Sequence, residues 1–135
     1  MLDALAELCD AGRLLGVTHV TFEGDPMFVT AVALRFESLT ALFEAVSEDD
    51  TLAVRIGAPP EATGVDASAA PPWAECVGRA VRWAWRMTNQ QGYTDGARLE
   101  FAGTGHASAT VECVVAASAV RVFVAREAVP LTSGA

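Results

Sequence analysis

Two short tracts hold most of the side chains that chemistry would require. In Asn89-Gln90-Gln91-Gly92-Tyr93-Thr94-Asp95-Gly96 the chain's only Asn and only Tyr stand beside a carboxylate and two amides. The two glycines allow backbone angles closed to other residues. Such a connection can grip a ligand or a partner through Asn89, Tyr93 and Asp95. In the competing reading, Asn89 and Asp95 cap backbone groups while Tyr93 folds its ring onto a sheet, and turn residues favour that structural role by roughly two to one. The second tract, Ser47-Glu48-Asp49-Asp50-Thr51, groups three carboxylates ahead of an apolar run. Neighbouring carboxylates can bind Mg²⁺ or Ca²⁺, but successive strand residues point to opposite faces and the D-x-D-x-D-G spacing of a calcium loop is missing. A solvated turn, or a cluster that steers a basic protein surface, fits Glu48, Asp49 and Asp50 better.

The remaining reactive groups do not assemble into a catalytic set. His19 and His106 fall in neither H-x-x-x-H nor H-E-x-x-H spacing, so no metal is expected. Gly103-Thr104-Gly105-His106 lacks the lysine of a phosphate loop and leads into strand-like sequence, as a hairpin turn would. Cys9, Cys76 and Cys113 are far apart without C-x-x-C spacing, which suggests buried free thiols in a reducing cytoplasm rather than disulfides or zinc. There is no G-x-S-x-G. No catalytic residue, metal or cofactor is assigned.

Composition excludes further classes. At 135 residues and 52% hydrophobic, the chain can bury one real core and is too short for two ordinary domains. All nine positive charges are Arg, and the net charge is -8. A phosphate backbone would be repelled, so nucleic acid is not an expected partner. The absence of Lys removes Schiff-base chemistry and a P-loop lysine. The N-terminus is acidic where a secretory signal is basic, and no run of eighteen apolar residues occurs, so the expectation is a cytoplasmic protein without a membrane span.

The elements that must position these tracts follow from periodicity. Leu2, Leu5, Leu8 and Cys9 recur at helical steps, predicting an amphipathic helix that ends near Gly12 or Gly16. From Val17 the period becomes two, with a turn at Gly24-Asp25-Pro26 and a second strand over Met27 to Phe36. Residues 39–46 suit a strand, although Leu39, Leu42, Phe43 and Val46 also match helical spacing. Residues 57–72, rich in Pro, Gly, Ala and Ser, predict a mobile loop, with Trp73 anchoring its end in the core. In Val81 to Thr88, alternation places Val81, Trp83, Trp85 and Met87 on a buried face and pairs the strand with Ala97 to Phe101. Two further strands end near Ala117 and Ala125. The result is a single α+β domain over 1–135 with a flexible C-terminal tail: a predominantly antiparallel β-sheet of about seven strands with an N-terminal helix.

The stretch from Asp49-Asp50-Thr51-Leu52 through Trp83-Ala84-Trp85, the Asn89 to Gly96 tract and Leu99-Glu100-Phe101 to Ala117-Ser118 resembles a family of small uncharacterised bacterial domains. That resemblance implies one domain and assigns no catalytic residue. In size and acidity the chain is also similar to immunity proteins of bacterial toxin systems, which cover a toxin's active site. The resulting expectation is a protein-binding module, of immunity type, that presents Glu48, Asp49, Asp50, Asn89, Tyr93 and Asp95 to a partner with a basic surface. The alternatives are an enzyme or small-ligand binder built on Asn89, Tyr93 and Asp95, and a structural homodimer that uses the apolar surplus.

Overall fold

Leu5 and Leu8, one helical step apart, are buried under the sheets, while Asp3 sits in the first turn, where a carboxylate suits the positive end of a helix. They belong to α1 (Leu2–Leu8), the one α-helix of the described residues. In this computed structural model the described residues are 1–57, 64–103 and 108–125. After α1 come β1 (Leu14–Phe22), β2 (Asp25–Phe36), β3 (Thr40–Val46), β4 (Thr51–Ile56), β5 (Gly64–Asp66), a 3₁₀ turn at Trp73–Glu75, β6 (Val81–Thr88), β7 (Thr94–Phe101), β8 (Ala109–Ala116) and β9 (Ala119–Ala125). Among these residues no helix is long and apolar enough to cross a membrane.

The strands form two antiparallel sheets, ordered β4-β3-β2-β1-β5 and β6-β7-β8-β9. An antiparallel β fold with an N-terminal helix was legible in the sequence; the nine strands and their division into two sheets were not. One hydrophobic cluster joins the sheets and the helix, drawing Leu5 and Leu8 from α1, Phe43 from β3, Leu99 and Phe101 from β7 and Val111 from β8. The sheets are stitched at one corner, where Leu14 N–H donates to the Arg79 carbonyl and Gly78 N–H to the Leu14 carbonyl. The β1–β2 hairpin turns on Glu23 and Gly24, both at positive φ, one step before the Gly24-Asp25-Pro26 turn read from sequence. Two positive φ values in succession match the right-handed twist of the flanking strands.

Residues 39–46 settle as a strand because β3 finds partners on both sides, β2 and β4. Within the segment read as a loop, residues 58–63 lie outside the described residues, whereas Gly64–Asp66 pairs with β1. Ser68 continues that attachment by accepting the Val17 N–H at 2.9 Å through Oγ. Trp73, fully buried, anchors the end of the segment in the core as expected. The flexible tail expected beyond β9 falls on 126–135, and most of the Gly103 to His106 turn on 104–107; both lie outside the described residues.

One assignment is overturned. The strand pairing of β6 with β7 is as expected, but Trp83 and Trp85 point outward, 55% and 44% exposed. The cause is a β-bulge: Val81 pairs with Phe101 and Trp83 with Glu100, so Arg82 is one residue too many. An inserted residue shifts the two-residue period by one and exchanges the faces of everything after it. Val81 therefore stays in the core, and Ala84 instead of Trp83 follows it inward. Met87 lands outside opposite Gly96, where a Cβ would stand 3.2 Å from the Met87 Sδ and 2.9 Å from the Cys113 carbonyl oxygen.

These positions predict opposite outcomes for the three tryptophans. Trp73→Ala should cost about 3–5 kcal/mol, as deletion of a buried indole does. Trp83→Ala and Trp85→Ala should each cost less than about 1 kcal/mol. Urea unfolding midpoints of the three variants check the contrast.

Candidate functional site

The antiparallel meander of β6, β7, β8 and β9 brings the β6–β7 connection and the β8–β9 turn to the same end of their sheet. The β3–β4 turn joins them there. Asp50 accepts the Ser118 backbone N–H at 2.7 Å across 68 residues of sequence, pinning the acidic turn of the first sheet to the β8–β9 turn of the second. Asp50, Ala117 and Ser118 all have positive φ, between 51° and 65°. All six residues proposed from sequence, Glu48, Asp49, Asp50, Asn89, Tyr93 and Asp95, thus belong to one end of the molecule.

Their roles differ. Asn89 works mainly for the fold: its Oδ1 accepts the N–H groups of Gln91 and Tyr93 at 2.9 and 3.2 Å, and its backbone closes the turn with Tyr93 and Gly92. Its Nδ2 donates to the Asp95 carboxylate at 3.4 Å. Asp95 is itself a bulged residue, since Thr94 pairs with Thr88 and Gly96 with Met87. Asp49 folds its carboxylate back to accept the Thr51 hydroxyl at 2.6 Å and the Thr51 N–H at 3.2 Å. Such side-chain to backbone bonds are how Asx residues build turns.

Two side chains reach outward. Glu48 is exposed at the crest of its turn. Tyr93 is half exposed. The surface therefore has an acidic crest and, at the same end of the molecule, one half-exposed aromatic ring, with Asp49 and Asp50 supplying charge while also holding the backbone. Sequence reasoning missed Ser118, the group that joins the two turns. Ala117-Ser118 carries none of the Asn or Gly preference of a two-residue hairpin, so no local signal marked it.

The other reactive groups are sequestered or scattered. Burial pushes the Cys76 and Cys113 thiols up to about 12, which keeps them protonated and poorly nucleophilic. Cys9 departs from the expectation of a buried thiol: it is exposed, and partial desolvation together with Asp10 raises its pKa. Among the described residues no three His, Cys, Asp or Glu side chains gather as a metal set.

A family model described as a family of unknown function, DUF6334, matches residues 2–129. No curated protein and no solved structure matches the chain.

His19 lies on the core face of β1, where its Nε2 accepts the Trp73 indole N–H at 2.9 Å. A ring nitrogen that accepts is unprotonated, so the bond requires the neutral tautomer with hydrogen on Nδ1. Desolvation lowers the His19 pKa from 6.5. A histidine with a folded-state pKa below its unfolded value binds its proton more readily when unfolded, so acid favours unfolding. Stability should be unaffected by this group above about pH 7 and should fall as pH drops from about 6.5 toward 5. Urea midpoints across that window measure the slope, and His19→Gln, which keeps an acceptor for Trp73 but does not titrate, should flatten it.

Proposed function

Because the chain belongs to DUF6334, a family of unknown function, the chemistry of the site must carry the reading, and we propose that the protein is a protein-binding module. It acts as an immunity-type inhibitor that covers a basic cleft on a toxin or comparable partner. The observation that supports this is the placement of the Glu48-Asp49-Asp50 crest and the half-exposed Tyr93 at one end of the molecule. Carboxylates around a rim steer a basic partner during approach, and an aromatic ring at the same end supplies the buried anchor on which affinity depends. The charge asymmetry strengthens the case: residues 1–57, which include the crest, hold ten carboxylates and three arginines. The encounter belongs in a reducing compartment, the cytoplasm, where three unbridged cysteines are stable.

The enzyme reading is weaker because Asn89, one of its central residues, spends its Oδ1 and Nδ2 on the β6–β7 connection. A catalytic pair needs groups free to meet a substrate.

Glu48→Lys reverses charge without removing a bond that shapes the turn, whereas Asp49 and Asp50 each hold backbone. With the partner recovered by pull-down from the source cell, Glu48→Lys should slow association about three- to tenfold at low salt. The difference should shrink at high salt, with dissociation little changed. Tyr93→Ala should instead speed dissociation. Unchanged kinetics in both variants, or a turnover activity lost in Asp95→Ala with no partner recovered, would contradict the proposal.

A further inference from the structure

The bulge that turns Trp83 and Trp85 outward gives the second sheet an exposed outer face whose side chains fall into three cross-strand rows. The middle row runs Trp85, Arg98, Glu112, Phe123 from β6 to β9. On either side of it lie Trp83, Glu100, Thr110, Ala125 and Met87, Gly96, Val114, Arg121. Trp83, Trp85 and Phe123 are each close to half exposed, and the Arg98 guanidinium sits 5.5 Å from the Trp85 ring centroid and 3.7 Å from the Glu112 carboxylate. Large aromatic groups displayed together on a flat strand face signal a contact surface.

We propose that this face is the interface of a homodimer with its two-fold axis in the plane of the contact, parallel to the strands and between β7 and β8. Such an axis lays β6 of one copy over β9 of the other and β7 over β8, row upon row. An isologous interface requires a patch to complement itself under that operation, and the middle row does. In the middle row Trp85 meets the partner copy's Phe123 position and Arg98 meets its Glu112 position, so each aromatic side chain finds an aromatic one and each charge its opposite. In the flanking rows Trp83 meets the small Ala125, Glu100 meets Thr110, Val114 meets Gly96 and Met87 meets Arg121. Packed sheets cross at about 30°, which opens the outer rows and leaves the middle row in closest contact.

Charge selects a second copy over a partner of another kind. Two chains of net charge -8 repel almost everywhere, but on this face Arg98 and Arg121 balance Glu100 and Glu112. A locally neutral, self-matching face is where like-charged chains can meet. The inference stands independently of the partner-binding proposal. An axis parallel to the strands leaves both acidic crests at the same end of the dimer, as a bivalent binder would present them.

The test is a charge swap read by sedimentation velocity at about 1 to 100 µM, the range in which modest interfaces dissociate. The wild type should sediment as a dimer at the upper end. Arg98→Glu and Glu112→Arg should each weaken dimerisation at least about tenfold, because each places like charges opposite one another. The double variant R98E/E112R restores opposite charges across the axis and should restore the dimer. Circular dichroism confirms that each variant is folded, and Trp85→Ser, at an exposed position, provides a second disruptive change that leaves the charges alone. A wild-type monomer throughout the range would overturn the proposal. So would folded single variants that remain dimeric, or a folded double variant no better than the singles.

Discussion

One extra residue in an edge strand determines which parts of this molecule face the world. Val81 enters the core beside Phe101, and the chain then inserts Arg82 without a partner before pairing resumes at Trp83 and Glu100. A strand that continued its alternation would place the two indoles opposite Leu99 and Ala97, where Ala84 and Arg86 now stand. The bulge sends Ala84 inward instead, and the large apolar groups of β6 become surface. The outer face of the second sheet follows from that change of phase.

At the end of the sheets a different constraint operates. Two turns built at positive φ, one in each sheet, are held together by a single charge-assisted bond from Ser118 N–H to Asp50. The acidic crest is consequently part of the framework that aligns the sheets. Asp49 and Asn89 also shape the backbone from which Glu48 and Tyr93 project. Residues that position a surface and residues that meet a partner are thus interleaved in the same short tracts, and substitutions there separate them only when chosen by the bonds each makes.

Much of this was legible in the sequence because burial on one face writes itself as a period. Val17 to Phe36 and Ala109 to Ala125 alternate and are strands; Leu5 and Leu8 are spaced as a helix and bury together. The pairing of β6 with β7 was legible for the same reason, from Ala97, Leu99 and Phe101. What was hidden has physical causes. A bulge has no composition of its own, so nothing in Val-Arg-Trp-Ala-Trp separates an uninterrupted strand from one that changes phase at Arg82. β5 is three residues long with no apolar alternation, and its backbone partners on β1 alone define it. The Asp50–Ser118 contact links positions 68 apart, a relation that local pattern cannot express.

Tryptophan accessibility tests the phase of β6 most directly. Variants retaining one indole each, with the other two replaced by Phe, can be compared by emission maximum and acrylamide quenching at nanomolar concentration, where self-association is suppressed by mass action. The phase set by Arg82 predicts blue-shifted, quench-resistant emission from Trp73 and red-shifted, readily quenched emission from Trp83 and from Trp85. Protected, blue-shifted emission from Trp83 and Trp85 in the folded monomer would show that the strand keeps its alternation through Arg82 and would contradict the account.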